Sequence, residues 1–257
     1  MLKVNVHGVT GTIILDRATC RNALNRELIE QLAQALDDLR QEKKVRGVIL
    51  TGAGSHFCAG LDLKELQQTA GDQEQWQQWH EDAQRLQGVI EQMLQFPKPL
   101  VAAVDGDSMG SGFGLVLACD LVVASQRATF SIPAPKLGLV SGLVAPLLCF
   151  RGGGSVASRM LLGGDELSAA EAKELGLVHH VVGTDQIWVR ASNWIEAIAG
   201  GAAESLQLTK RLLNEMIGEQ LTTLLSSGAA AMATSLTTEA ATEGLNAFAE
   251  KRPVKFP

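Results

Sequence analysis

The groups best suited to chemistry in this sequence belong to the backbone. Two glycine-rich turns stand out: Thr51-Gly-Ala-Gly-Ser-His-Phe-Cys-Ala-Gly60-Leu61-Asp62-Leu63-Lys64 and Asp105-Gly-Asp-Ser-Met-Gly110-Ser111-Gly112-Phe113-Gly114. Each runs from a short apolar segment into a helix-forming one. The first amides of a helix have no acceptor within it and carry its partial positive charge, so they suit an anion or a developing oxyanion. Two such turns facing each other supply a two-donor oxyanion hole for a thioester carbonyl. A lone glycine turn more often serves only tight packing. Neither turn has the GxxxxGK[ST] pattern, and Gly110-Ser-Gly-Phe-Gly114 lacks the GxGxxG spacing, so support for a nucleotide loop is weak.

Side-chain candidates are fewer. His80 is the best general base by intrinsic pKa, but beside Gln77, Gln78 and Asp82 it reads first as a polar-face histidine. Ser111 and Ser141 have no histidine nearby in sequence to activate them. Asp62 reads as a brace or cap of its turn, Asp107 as a turn residue, and His56 and Cys58 as loop and packing residues. His179 and His180 have no metal-ligand spacing with another candidate, so no metal is expected. There is no tyrosine, which excludes a tyrosine acid or oxyanion donor. Cys20, Cys58, Cys119 and Cys149 include no CxxC pair and read as free thiols.

The elements that must position these turns follow from periodicity. Lys3–His7 and Gly11–Asp16 read as strands joined at Gly8, and Gly47–Thr51, Leu100–Val104, Leu121–Ala124 and Ala128–Ser131 as further short strands. Helical spacing marks Glu27–Gln41, Gln73–Phe96, Met109–Ala118, Ile187–Ala199, Ala203–Ile217 and Gln220–Phe248, and Ser168 with Glu171 forms a capping box. Strand–turn–helix units in this order predict an α/β fold with parallel pairing. We place an α/β core over 1–195 and a helical segment over 196–257. With 257 residues, 46% hydrophobic and 19% charged, the chain has ample material for a core. A net charge of −6 and pI near 5.4 argue against nucleic acid or an anionic membrane as partner. Met1–Thr12 has no signal-peptide character and no apolar run reaches a membrane span, so a cytoplasmic protein is expected.

Six segments in order carry a resemblance: Arg21-Asn-Ala-Leu-Asn25; Phe57 to Lys64; Ala103-Val-Asp-Gly106 running to Gly112; Lys136-Leu-Gly-Leu139; Leu167 to Ala172 continuing through Val178; and Glu250-Lys-Arg-Pro253. Together they resemble the crotonase (enoyl-CoA hydratase/isomerase) superfamily over essentially the whole chain. The resemblance implies a spiral of stacked ββα units with a helical C-terminal trimerisation region, assembled as a homotrimer or a dimer of trimers. It implies no permanently bound cofactor; CoA arrives as part of an acyl thioester. The backbone N–H groups of Leu61 and Ser111 fall at the oxyanion donors. Ala23, Ala59, Asp62 and Leu63 fall where family members contact adenine and pantetheine, and Lys251 where a basic residue often meets the phosphates.

The sequence departs from the family at the two acid–base positions. Hydration uses paired glutamates around one water. One belongs four residues after Gly110, where this chain has Gly114; the other follows Pro133, where it has Ala134. General acid–base groups contribute roughly 10²–10⁴-fold each, so ordinary hydration is not expected. Three readings remain: an enzyme that needs the oxyanion hole more than a base, decarboxylation of a malonyl-type thioester being one example; a carrier that holds acyl-CoA unchanged; and a hydratase or isomerase with relocated carboxylates.

Overall fold

The computed structural model describes residues 1–68 and 75–256. A six-stranded sheet forms the centre, in the order β1 (Leu2–His7), β2 (Thr10–Leu15), β3 (Gly47–Gly52), β4 (Leu100–Val104), β6 (Leu121–Ser125), β9 (His180–Val182). The β1–β2 hairpin turns at Gly8, whose φ of +57° favours glycine, and every later pairing in this sheet is parallel. A second sheet holds β5 (Asp107–Met109), β7 (Thr129–Ser131) and β8 (Leu167–Ser168). Twice in succession the chain lays one strand in the large sheet and the next in the small one: β4, β5, then α4 (Ser111–Ala118); β6, β7, then a 3₁₀ turn at Ala134–Leu137. This alternation is the ββα spiral.

Both faces of the large sheet are covered at its central strands β3, β4 and β6, which explains why these read as unbroken apolar runs. Val48, Leu50, Leu100, Ala102 and Val104 point into the main core with α1 (Arg26–Gln41) and α3 (Trp76–Gln95). Their neighbours Ile49, Val101, Ala103 and Val123 point the other way, against Ile187, Ala191 and Ile195 of α7 (Ile187–Ala199). The division of the chain at 195 thus falls inside α7, a helix packed on the sheet. α8 (Ala203–Ser235) is one continuous helix, and α9 (Glu239–Glu250) follows after Thr238, whose hydroxyl accepts the Ala241 N–H at 3.1 Å. Sequence periodicity instead predicts a break between Ile217 and Gln220. The start of the helix predicted from Gln73 lies outside the described residues.

α8 is tied to the core by Lys210, which is 8% exposed. Its ammonium donates to Asp120 at 2.7 Å and to the carbonyls of Lys98 and Met93 at 3.2 and 3.3 Å. Gly142 and Gly228 let α8 lie against the loop after the 3₁₀ turn; a Cβ on Gly142 would come within 1.9 Å of the Gly228 carbonyl oxygen. Among the described residues, no helix is long and apolar enough to cross a membrane.

Candidate active site

The two glycine turns meet. Leu24 forms an isolated parallel bridge with Leu61, donating its N–H to Gly60 O at 2.7 Å and accepting from Asp62 N–H at 2.9 Å. In such a bridge the facing residue turns its own N–H away, so the Leu61 amide is left for the other side. In the second turn, Gly110 donates to Ser131 O at 2.9 Å, and Ser111 opens α4, too early for an intrahelical acceptor. Gly60, with φ of +86°, joins the two turns: a Cβ there would sit 2.8 Å from Met109 O and 3.3 Å from Ser111 N. Among the described residues, neither the Leu61 nor the Ser111 N–H has a backbone partner outside its own element. Both residues line one cleft.

The turns are held by a buried network. Asn22, fully buried with φ of +56°, donates through its side-chain amide to the carbonyls of Ala53, His56 and Phe57 at 2.9, 2.8 and 3.2 Å. The Cys58 thiol donates to Asn22 O at 3.1 Å, and burial pushes its pKa up to about 12, so it is a packing group rather than a nucleophile. Cys58 also bridges to Ser108 of the second turn, and His56 Nδ1 lies 2.9 Å from Asp107 Oδ2. Asp62 caps α2 (Leu63–Gln67) through Lys64 N–H at 3.2 Å and pairs with Arg17 at 3.0 Å. It braces the turn, as its place in the sequence suggests.

The structure gathers some predicted residues and leaves others aside. Ala59, Leu61, Asp62, Leu63, Ser111, Ala134 and Ser141 line the same cleft. Gly114 is buried in α4 away from the lining, and a Cβ there would meet Val144 Cγ2 at 3.3 Å. Ala23 is buried under the first turn, its carbonyl accepting from Arg17. His80 does not line the cleft; it stacks on Trp76 at 5.5 Å and contacts Gln84 at 3.0 Å. Lys251 is exposed at the end of α9 in a left-handed conformation (φ +54°).

The sequence reading misses the far walls. Leu66 of α2, Trp79 and Ala83 of α3, Leu137 and Leu139, Met232 and Ala233 of α8, and Leu236 just past its end make the cleft largely apolar. Set into it are Arg26, Glu65 and Asp82. Arg26 Nε donates to both Asp82 oxygens at 2.8 and 3.0 Å and Nη2 to Oδ2 at 2.7 Å. Arg26 N–H donates to Glu65 Oε2 at 3.2 Å. These residues lie far apart along the chain and match no motif, so only the fold brings them together.

Comparison with known proteins agrees with this architecture. The fold matches the crystal structure of an enoyl-CoA hydratase/isomerase from Xanthobacter autotrophicus with a TM-score of 0.89 and 27% identity, covering 100% of this chain and 98% of that one. An enoyl-CoA hydratase from Bacillus halodurans also gives 0.89, with 25% identity over 96% of this chain and 99% of that one. Residues 7–257 match the enoyl-CoA hydratase/isomerase family, the crotonase superfamily, and the chain belongs to it. Among relatives, a Thermus thermophilus protein assigned to the enoyl-CoA hydratases is 37% identical over 251 residues, covering 97% of this chain and 98% of its own. The human methylglutaconyl-CoA hydratase is 30% identical, over 96% of this chain and 74% of its own.

Proposed function

We propose that this protein holds an acyl-CoA with its thioester oxygen between the N–H groups of Leu61 and Ser111, and transforms it by a reaction that draws on this hole rather than on a glutamate pair. The observation that carries the reading is the contact of the two glycine turns at Gly60, which sets two uncommitted amides on one cleft. Two donors aimed at a developing oxyanion lower the energy of an enolate. Decarboxylation of a malonyl-type thioester fits: the C–C bond to the carboxylate breaks, its electrons become the enolate, CO₂ leaves, and the α-carbon then takes a proton. Gly114 and Ala134 supply no carboxylate for hydration. Those same two residues favour a second reading, in which the thioester is held unchanged.

Incubation with a panel of acyl-, enoyl- and malonyl-type CoA esters, read by mass spectrometry and paired with calorimetry, tests this. Binding of acyl-CoA with loss of CO₂ from a malonyl-type ester is the expected outcome. Binding without product supports the carrier, and hydration at ordinary hydratase rates or no binding at all overturns the site assignment.

A further inference from the structure

The Arg26, Asp82 and Glu65 cluster has no part in the oxyanion hole, yet it interrupts an apolar cleft. Asp82 is saturated: besides Arg26 it accepts from Gln78 Nε2 at 3.0 Å and Arg85 Nη1 at 3.3 Å. Arg26 is not. Its side chain is 35% exposed, and among the described residues Nη1 has no partner; Asp82 holds the guanidinium charged, raising its pKa. Glu65 accepts the Arg26 N–H with one oxygen, and among the described residues the other has no partner. The cleft wall therefore presents a free donor, Arg26 Nη1, and a free acceptor, Glu65 Oε1.

A hydrocarbon laid over this pair would strip both groups of water and return no hydrogen bond, which is costly. A hydroxyl returns a hydrogen bond to either, accepting from Arg26 Nη1 or donating to Glu65 Oε1. A carboxylate does not suit: Arg26 is the one cation among the lining residues, against Asp62, Glu65 and Asp82.

We infer that the cleft selects CoA thioesters whose acyl group carries a neutral hydrogen-bonding group, a hydroxyl being the simplest, bound at the wall formed by Arg26 and Glu65. This rests on the acyl-CoA reading above. The test is calorimetric titration with short straight-chain acyl-CoAs, their chain-hydroxylated counterparts and their carboxylate-tipped counterparts. At one position of the hydroxyl, the hydroxyacyl ester is expected to bind about tenfold or more tighter than its hydrocarbon match, as expected for a satisfied versus stranded polar pair. Arg26→Met combined with Asp82→Asn, which avoids a stranded carboxylate, should erase that preference while leaving hydrocarbon-ester affinity equal or higher. Glu65→Gln, which leaves the ion pair intact, should weaken it and provides a second variant if the double one melts early.

Equal or tighter binding of the hydrocarbon esters to the native protein at every chain position overturns the inference and leaves the acyl-CoA reading standing. Tightest binding of the carboxylate-tipped esters overturns the assignment of a neutral group. Failure of all three classes to bind removes the acyl-CoA reading, and this inference falls with it.

Discussion

At the level of single residues, the proposed chemistry rests on Gly114 and Ala134, which stand where the family resemblance implies glutamates. Ala134 lines the cleft, so a glutamate there has space to project into it. Gly114 is different, because Val144 Cγ2 stands 3.3 Å from where its Cβ would lie. The sequence has no carboxylate at either position, but it does not reveal the valine beside Gly114, since that contact is made only in the folded chain. Native protein should hydrate crotonyl-CoA at least thousands of times more slowly than an ordinary hydratase, the cost of two absent acid–base groups. Gly114→Glu with Ala134→Glu should gain measurable activity, and adding Val144→Ala should raise it further. Each single glutamate should gain much less, because the pair acts on one water. Loss of the enoyl-thioester absorbance measures this; a folded triple variant with no gain would mean that the pocket no longer accepts the geometry. The thiols give an independent check on packing. Cys58 and Cys119 are buried with pKa values pushed up to about 12, while Cys20 and Cys149 are exposed. An aromatic disulfide reagent should therefore titrate Cys20 and Cys149 in the native protein at neutral pH, and all four thiols after denaturation.

Elements were legible where their apolar pattern is dense. The runs at Gly47–Thr51 and Leu100–Val104 became strands within a residue of the expected bounds, because strands buried on both sides must be continuously apolar, while Lys3–His7, an exposed edge strand, was legible from its alternation. The C-terminal helices were harder to read. Ala, Ser and Thr between 226 and 243 carry little periodic signal, so the true stop before Thr238 is marked only by its capping hydroxyl. Nor did the sequence show Lys210 as anything but a surface lysine. Its ammonium joins α8 to Asp120, whose Oδ2 also accepts Leu100 N–H at 2.7 Å. Asp120 is 23% exposed, which moderates the penalty of stranding it. Lys210→Met should lower stability by about 2 kcal/mol, less than the figure for a fully buried pair. Urea denaturation measures the loss. An unchanged midpoint would show that α8 is held by apolar packing alone.

The whole molecule leaves part of α8 unpaired. Leu208, Leu212 and Leu213 are each about 60% exposed, and their spacing puts them on one outer stretch of the helix. Exposed leucines this dense favour a partner surface, which fits the assembly of three or six chains suggested by the family resemblance. Light scattering at micromolar concentration should give a mass near a multiple of three times 27.3 kDa, and Leu212→Glu with Leu213→Glu should shift it toward single chains. A native protein that stays a monomer would contradict this.

The proposed function turns on whether the thioester carbonyl sits between two backbone donors. Isotope-edited infrared spectroscopy of an acyl-CoA labelled with ¹³C at that carbonyl reads the contact directly, since hydrogen bonds to the oxygen weaken the C=O bond. The account predicts a clear shift to lower frequency on binding. Ser111→Ala, which keeps the N–H, should preserve the shift; Ser111→Pro, which removes it at a helical position that tolerates proline, should cut it back while the ligand still binds. A bound thioester whose carbonyl frequency matches that in water, or one indifferent to Ser111→Pro, would contradict the account.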